Sequence, residues 1–215
     1  MIASGRPFPI SFFLQPTVEV ARQLLGALLV RRLRRGRRVV RLVGRIVEVE
    51  AYLQGDPACH CVRVLKDGTC VPRPSERNRS MFGPPGRAYV YFTYGMHHAM
   101  NVVAQKPGTA EGVLLRAMEP LEGIEIMGEL RGLEVHRIRQ LASGPGKLTQ
   151  AMAIDLKLDG HDLSKPPLML LEGRRIDAAR IGVSRRIGVA KAADRPLRFF
   201  EKDSPFVSRK GPVSR

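Results

Sequence analysis

The chain has 215 residues, 44% of them hydrophobic, and a formal net charge of +16 from 36 Lys and Arg against 20 Asp and Glu. This apolar content is enough for a proper core, and the patterned, Arg-rich sequence argues against a low-complexity cationic tail. We predict one domain over residues 1–215 with flexible ends at 1–15 and 209–215. The charge indicates a polyanionic partner, with nucleic acid favoured over an anionic membrane surface.

The three cysteines (Cys59, Cys61 and Cys70) lie close together and cannot pair completely. This spacing argues against a secreted disulfide framework and predicts a reducing compartment. The first sixteen residues lack the layout of a signal peptide, and the longest aliphatic run is too short to span a bilayer. We therefore expect a cytoplasmic protein, nucleoid-associated if it is bacterial, with no membrane partner.

The first regular element is predicted where Thr17 is followed by VEVARQLLGALL, which is typical of a helix with Thr17 as its N-cap. Two runs of strand character then flank Arg35-Gly36-Arg37 and predict a hairpin whose second arm continues to Glu50. Eight arginines fall within residues 31–45 of this hairpin. A solvated hairpin tip and a phosphate-contacting surface explain them equally well.

Residues 46–52 alternate with a period of two, which predicts a strand with Glu48, Glu50 and Tyr52 on one face. Two carboxylates on an otherwise apolar strand are costly unless they are solvated, paired or used. A solvent-facing strand edge is the simpler interpretation. The alternative is a site that uses them.

Residues 62–78 are predicted to form a polar loop without a regular element, followed by strands at 87–93 and 96–104 that are joined by a turn at Tyr94-Gly95. At this tip Tyr94 is expected to be exposed, where it can stack on bases, wedge between them or simply cover the hairpin. Asn101 is an amide in an apolar strand, so it must be hydrogen-bonded, and it can read a base edge.

A short buried strand is predicted at 113–118, and its one charge, Arg116, needs a carboxylate partner. Glu48 and Glu50 are the natural suppliers. The last forty residues are expected to mix short strands and loops. Two further helices are predicted, at 119–130 with a proline in the first turn and at 143–154.

Two further interpretations, a zinc site and a phosphate-binding loop, have weaker support in the sequence. A zinc site of Cys59, His60, Cys61 and Cys70 has suitable ligands, but adjacent ligands point in alternating directions, and structural zinc sites usually space cysteines by two to four residues. The segment SGPGKLT fails the phosphate-loop pattern, although it can offer helix N-terminal amides and Lys147 to a backbone phosphate. We expect no metal.

Taken together, several long motifs carry a family resemblance: EVEAYL, RNRSMFGPPGRAYVYFTYGMHHAMNVV, GVLLRAMEPLEG, SGPGKL and DRPLRFFEKDSPFVS. The chain resembles the alkyladenine (3-methyladenine) DNA glycosylases, which are monofunctional base-excision enzymes. The similarity covers residues 17–208 and keeps the order of the motifs. It departs after His60, where residues 61–76 form a longer loop, with Ser-Glu in place of the usual Thr-Pro.

The resemblance implies a fold and an activity. The fold is α+β, a single compact domain whose curved, mainly antiparallel sheet has surrounding helices and a DNA-inserting β-hairpin. The activity is hydrolysis of the N-glycosidic bond of alkylated or deaminated purines (3-methyladenine, 7-methylguanine, hypoxanthine, ethenoadenine) by base flipping and water activation, leaving an abasic site. The partner is double-stranded DNA containing damaged purines. No cofactor is implied, and a monomer is the default expectation.

The resemblance also implies roles for individual residues. Glu50 is the general base that activates water and Arg116 its partner. The pocket around the flipped base is formed by Tyr52, His60, Tyr91 and, at the wall, Asn101. The remaining residues contact DNA: Tyr94 as the wedge, Met96 beside it, and Arg77, Arg79 and Lys147. The competing hypothesis is a non-catalytic nucleic-acid binder in which Glu50 is only a structural partner of Arg116.

Overall fold

A computed structural model describes residues 5–93 and 95–208. Its α-helices are α1 Ile10–Phe13, α2 Thr17–Leu24, α3 Ile124–Arg131, α4 Ile138–Leu141 and α5 Pro145–Ala151. Its strands are β1 Leu28–Arg35, β2 Arg38–Tyr52, β3 Val62–Val64, β4 Cys70–Pro72, β5 Ala88–Thr93, β6 His97–Ala104, β7 Glu111–Glu122, β8 Leu168–Leu171, β9 Ile181–Ser184 and β10 Arg198–Glu201. No helix in these ranges is long and apolar enough to cross a membrane.

The main sheet is antiparallel and strongly curled, as the α+β prediction required. Its strand order is β5-β6-β7-β2-β1-β8, and β10 joins β2 while β9 joins β10. Strand β2 is central because it pairs with β7 along one edge and, along the other, first with β1 and then with β10. Its carboxyl-terminal half therefore lies between β7 and β10.

The ladder between β2 and β7 is irregular at three places, and two of them flank Glu48. Ile46 pairs with Met118 and Val49 with Leu115, but Glu48 pairs with Ala117, one residue out of step. Such irregularities bend a strand and change where its side chains point. Here they coincide with the buried charges described below.

The apolar core lies between this sheet and the helices. Helix α2 buries Val20, Ala21 and Leu24 against it, and Leu24 lies on the same face as the other two because it follows them by one turn. Phe12 and Phe13 are also buried, so the folded part of the chain begins earlier than the predicted flexible end at 1–15 allowed.

Thr17 is not the N-cap of α2, as the sequence had suggested. It is the first helical residue, after Pro16, and its hydroxyl donates to Glu111 Oε2 at 2.5 Å. A proline preceding the first turn supplies no side-chain cap. The threonine instead joins the helix to the start of β7.

The Arg-rich hairpin is confirmed: Arg35 pairs with Arg38 around Gly36, whose φ is 61°. Two other predictions were wrong. The helix predicted at 119–130 starts only at Ile124, because β7 continues through Pro120, where a register shift against β2 tolerates a residue without an N–H.

The polar loop predicted at 62–78 contains more order than its composition indicated. Strands β3 and β4 form a small hairpin, and a 3₁₀ helix spans Glu76–Phe82. Asn78 is buried and organises this turn, since its Oδ1 accepts from Ser75 N at 2.7 Å and its Nδ2 donates to Arg73 O at 3.0 Å. Polar side chains, rather than apolar periodicity, fix this segment.

Candidate active site

A cleft of about 700 Å³ opens where β5, β6 and β7 meet the segments around residues 58–60 and 187–189. It is lined by all four residues predicted for the base pocket and by Arg116: Tyr52, His60, Tyr91, Asn101 and Arg116. Glu50 is fully buried at its wall, and each of its three hydrogen-bonding or ion-pairing partners lines the cleft. The structure thus brings the predicted catalytic and pocket residues together.

Glu50 accepts hydrogen bonds on both carboxylate oxygens. Oε1 lies 2.8 Å from the backbone N of Ile187 and 3.2 Å from Nη1 of Arg116. Oε2 accepts from the hydroxyl of Tyr52 at 3.0 Å. The solvent-facing interpretation of this strand is therefore wrong: Glu50 is a buried carboxylate held by a cation, an amide and a phenol.

Burial raises the pKa of Glu50 above its ordinary value. The charge of Arg116 and the hydrogen bonds from Ile187 and Tyr52 oppose this rise without cancelling it, and the nearby charge of Glu48 adds to it. Arg116 therefore favours the ionised form of Glu50, as the sequence indicated, but burial outweighs it. A carboxylate with a raised pKa is a better proton acceptor near neutral pH.

Arg116 is buried between Glu48 and Glu50, as its position in an apolar strand predicted. Its Nε lies 3.0 Å from Glu48 Oε1 and its Nη1 3.2 Å from Glu50 Oε1. Burial opposes its charge, but the two carboxylates outweigh burial and raise its pKa further. The guanidinium remains a cation that both carboxylates share.

The ring of Tyr52 contacts a second buried arginine, Arg186. The guanidinium of Arg186 lies 4.7 Å from the centre of the Tyr52 ring, forms an ion pair with Asp56 and donates to Ala51 O at 3.1 Å. Burial, and then the charge of Glu50, raise the pKa of Tyr52 above its ordinary value. The phenol therefore stays protonated and can donate to Glu50.

One wall of the cleft is aromatic. The ring centroids of His60 and Tyr91 are 4.7 Å apart and those of Tyr89 and Tyr91 are 5.1 Å apart, while His60 Nε2 lies 2.5 Å from the Tyr89 hydroxyl. Partial burial of the ring and the charge of Arg77 lower the pKa of His60, which favours a neutral imidazole. Planar rings on this wall suit a planar ligand.

Asn101 is buried on β6, opposite Leu114 of β7, and lines the cleft. No hydrogen bond of its side-chain amide is found within residues 5–93 and 95–208. The sequence predicted that this amide must be hydrogen-bonded. Within the described chain it is instead directed to the cleft, where a ligand can supply the partner.

Of the predicted DNA-contacting residues, Tyr94 lies outside the described residues, and the other four are exposed. Met96 is 71% exposed in the turn before β6, not on the strand as predicted. Arg77 and Arg79 are exposed on the 3₁₀ helix, and Arg77 donates to Phe92 O of β5. Lys147 is exposed in the first turn of α5.

The zinc alternative gains no support from the geometry. Over residues 5–93 and 95–208 no group of three or more His, Cys, Asp or Glu side chains is arranged to hold a metal ion. Cys59 and Cys61 are buried in a small apolar cluster with Met81 and Tyr89, and Cys70 lies apart on β4. Cys59 and Cys61 therefore serve packing in this structure.

Sequence reasoning missed several residues that hold the site together. Arg198 carried only a weak signal: it is almost fully buried and precedes two phenylalanines, but its strand, RFFE, also contains Glu201. Asp56, Arg186, Ile187 and Ser208 carried none, because they lie in irregular segments whose contacts are set by the folded topology.

Comparison with known proteins agrees with this geometry. Residues 11–205 match the family described as Methylpurine-DNA glycosylase (MPG). The chain belongs to the methylpurine-DNA glycosylase family. Its enzyme class is thereby that of a DNA glycosylase, a hydrolase of the base-excision repair of alkylated DNA.

Relatives of the chain match over almost their whole length. A protein of Carboxydothermus hydrogenoformans is 46% identical over 203 residues, which cover 94% of this chain and 98% of the relative. One of Methanoculleus marisnigri is 46% identical over 205 residues, with the same coverage. One of Salinibacter ruber is 43% identical over 211 residues, covering 96% and 98%. All three are provisionally named 3-methyladenine DNA glycosylases.

Proposed function

We propose that this glycosylase hydrolyses the N-glycosidic bond of alkylated or deaminated purines in double-stranded DNA, with Glu50 as general base. The substrates are 3-methyladenine, 7-methylguanine, hypoxanthine and ethenoadenine, and the products are the free base and an abasic site. One observation supports this most strongly: Glu50 is a buried carboxylate whose three partners, Tyr52, Arg116 and Ile187, all line a cleft of base-binding size.

The damaged base enters this cleft after it is turned out of the duplex, which costs a few kcal/mol and least for a weakly paired base. Tyr52 and Tyr91 offer π faces to it. Methylation at N3 or N7 makes a purine cationic, and such a cation gains roughly 0.5–2 kcal/mol over an aromatic ring. Asn101 recognises the edge of the base by hydrogen bonds and disfavours guanine.

In the chemical step a water attacks C1′ of the deoxyribose from the side of Glu50. The glycosidic bond breaks, its electron pair leaves with the base, and Glu50 takes the proton that the water loses. The carboxylate also stabilises the oxocarbenium-like sugar, as carboxylates do in glycoside hydrolysis. Arg116 holds the carboxylate in place, and a neutral base such as hypoxanthine additionally requires protonation to leave.

The duplex is held by the basic surface around the cleft. Arg77, Arg79 and Lys147 contact phosphates, and the β5–β6 hairpin inserts Tyr94 into the space left by the extruded nucleotide, with Met96 beside it. Binding of this kind depends strongly on salt. The enzyme acts as a monomer, in the cytoplasm, without a metal.

The test is single-turnover base release from a duplex with one ethenoadenine or one hypoxanthine, without metal, read as abasic sites by alkaline cleavage. Wild type is compared with Glu50→Gln. Since general base catalysis contributes about 10²–10⁴-fold, the variant should lose at least about 100-fold in rate and keep its DNA affinity. Glu125→Gln removes an exposed carboxylate on α3 and should behave as wild type.

Equal release by wild type and Glu50→Gln would assign the general base to another residue. No release by wild type from these duplexes, nor of 3-methyladenine from methylated DNA, while DNA binding persists, would overturn the proposed reaction. The chain would then be a DNA-binding member of the family in which Glu50 only pairs with Arg116.

A further inference from the structure

A second buried carboxylate, Glu48, lies on β2 two residues before the proposed base, and the proposed reaction does not use it. Its side chain is fully buried. Oε1 accepts from Arg116 Nε at 3.0 Å, from Arg198 Nε at 2.7 Å and from the Ser208 hydroxyl at 2.8 Å. Oε2 accepts from the Ser208 backbone N at 2.6 Å. Within the described residues Glu48 therefore has four hydrogen-bond donors, where Glu50 has three.

The bond from Glu48 to Nε fixes the direction in which Arg116 presents its other nitrogens. A guanidinium is planar and its donors form a rigid fork, so holding Nε determines where Nη1 points. In this structure Nη1 points to Glu50 Oε1. The irregular register of β2 and β7 at Glu48 and Ala117 lies beside the same contact.

The other donors to Glu48 come from the carboxyl-terminal part of the described chain. Arg198 is on β10, is almost fully buried and also donates to the Ser184 hydroxyl at 2.9 Å. Ser208 follows β10 after a short irregular segment and closes over the carboxylate with both its N–H and its hydroxyl. A buried ion pair contributes little to stability compared with well-packed apolar residues, which suggests a role beyond holding the fold.

We propose that Glu48 is a positioning residue that aims Arg116 at Glu50, and that Arg198 and Ser208 complete it by filling the remaining acceptor sites of Glu48. Ser208, in the segment after β10, thereby acts on the site through Glu48, although none of the described residues of that segment lines the cleft. This inference rests on the proposed function. It adds residues to the machinery that the general-base assignment does not require.

The charge of Glu48 also has a specific effect on the reaction. It lies near Glu50 and contributes to the raised pKa of that carboxyl. Glu48→Gln removes this like charge but keeps a side-chain oxygen that accepts, more weakly, from Arg116 Nε, so Arg116 stays near Glu50 and the pKa of Glu50 falls. The acidic limb of the pH–rate profile should then move to lower pH. Loss of a purely structural contact would not move this limb.

The experiment measures single-turnover release of ethenoadenine against pH, and the affinity for the same duplex, in four variants and wild type. Glu48→Gln should lower the plateau rate about 10- to 100-fold, the worth of a hydrogen bond to a charged group, shift the acidic limb downward and leave affinity unchanged. Ser208→Ala should lower the plateau about 3- to 10-fold, Ser208→Thr should restore it, and Ser204→Ala, in the same segment but without a contact to Glu48, should match wild type.

The inference would be overturned if Glu48→Gln had the wild-type plateau rate and the wild-type acidic limb of the pH–rate profile. It would also be overturned if the plateau rate fell while the acidic limb stayed at the wild-type pH. Should Glu48→Gln fail to fold, the Ser208 pair decides, because both variants keep every charge: equal rates in Ser208→Ala and Ser208→Thr would overturn it. A wild-type enzyme that releases no base would overturn the proposed function and this inference with it. Normal wild-type release with unaffected variants overturns the inference alone.

Discussion

The hydroxyl of Tyr52 lies 3.0 Å from Glu50 Oε2 and donates to it, although the two residues are neighbours on the same face of one strand. The ring that lines the cleft is therefore bonded to the proposed base. In the proposed mechanism, this phenol links the contact with the substrate to the proton transfer.

Tyr52→Phe keeps the ring and removes this bond. Because the phenol lowers the pKa of Glu50, its loss should raise that pKa further, and the acidic limb of the pH–rate profile should move to higher pH. We expect the rate at pH 7 to fall about 10-fold, as for a hydrogen bond to a charged group. The measurement is single-turnover base release from pH 5 to 9. A limb that stays in place would show that the phenol does not act on Glu50.

Glu50→Gln should stabilise the folded protein at neutral pH while abolishing activity. A carboxyl whose pKa is raised in the folded state favours folding below its unfolded pKa of about 4.3 and loses that contribution as pH rises through the folded pKa. At pH 7 the wild type therefore bears the cost of a buried charge. We expect the variant's thermal midpoint to be higher than that of the wild type at pH 7, with little difference at pH 4. A lower midpoint at pH 7 would contradict this.

Asp56→Asn should be strongly destabilising, because it leaves the fully buried guanidinium of Arg186 without its carboxylate. Removing one partner of a buried pair costs about 3–5 kcal/mol. The matched control is Glu76→Gln, which breaks the exposed pair with Arg79 and should change stability by less than about 1 kcal/mol. Urea unfolding of both variants provides the measurement. Equal urea midpoints for Asp56→Asn and Glu76→Gln would mean that the Asp56 carboxylate is not needed for stability.

Arg79→Ala and Lys147→Ala should weaken binding to undamaged and damaged duplexes alike and reduce the slope of log affinity against log salt by about 1 each. The proposed reason is the loss of one phosphate contact. Base release at saturating enzyme should stay at the wild-type rate. If the salt slope were unchanged in both variants, the duplex would have to bind elsewhere on the surface.

The Arg-rich hairpin provides the control variant for this experiment. The same variant tests whether the hairpin contacts phosphates, which its composition left open. Arg34 is exposed near the hairpin tip, and β2 runs fifteen residues from that tip to Tyr52 at the cleft. A strand of this length spans up to about 45–50 Å, so a duplex centred on the cleft has little reach to the tip. Arg34→Ala should keep the wild-type salt slope. A reduced slope would instead establish the hairpin as a phosphate-binding surface.

The sequence predicted the site better than it predicted the segments around it. The alternation through Glu48, Glu50 and Tyr52 and the single charge of Arg116 were enough to foresee a buried carboxylate–arginine contact, because both follow from strand periodicity and the cost of buried charge. Pro120 misled the prediction, since a helix start and a strand bulge both tolerate a residue without an N–H.

The remaining partners of the site were beyond local reasoning. The Ile187 amide reaches Glu50 across 137 positions of sequence, and the Ser208 hydroxyl reaches Glu48 across 160. Neither residue has a periodic pattern or an unusual charge that would mark it. Such contacts depend on how β10 adds to β2, which no window of sequence contains.

The hydrogen bonds from Ser208 to Glu48 also bear on the order in which parts of the chain can fold during synthesis. Strand β2 leaves the ribosome with its two carboxylates long before Arg198 and Ser208 have been translated. Until those residues arrive, Glu48 lacks three of its four donors, and burying it is unfavourable. We therefore expect the cluster of Glu48, Arg116 and Glu50 to become ordered only after β10 has been synthesised and has joined β2.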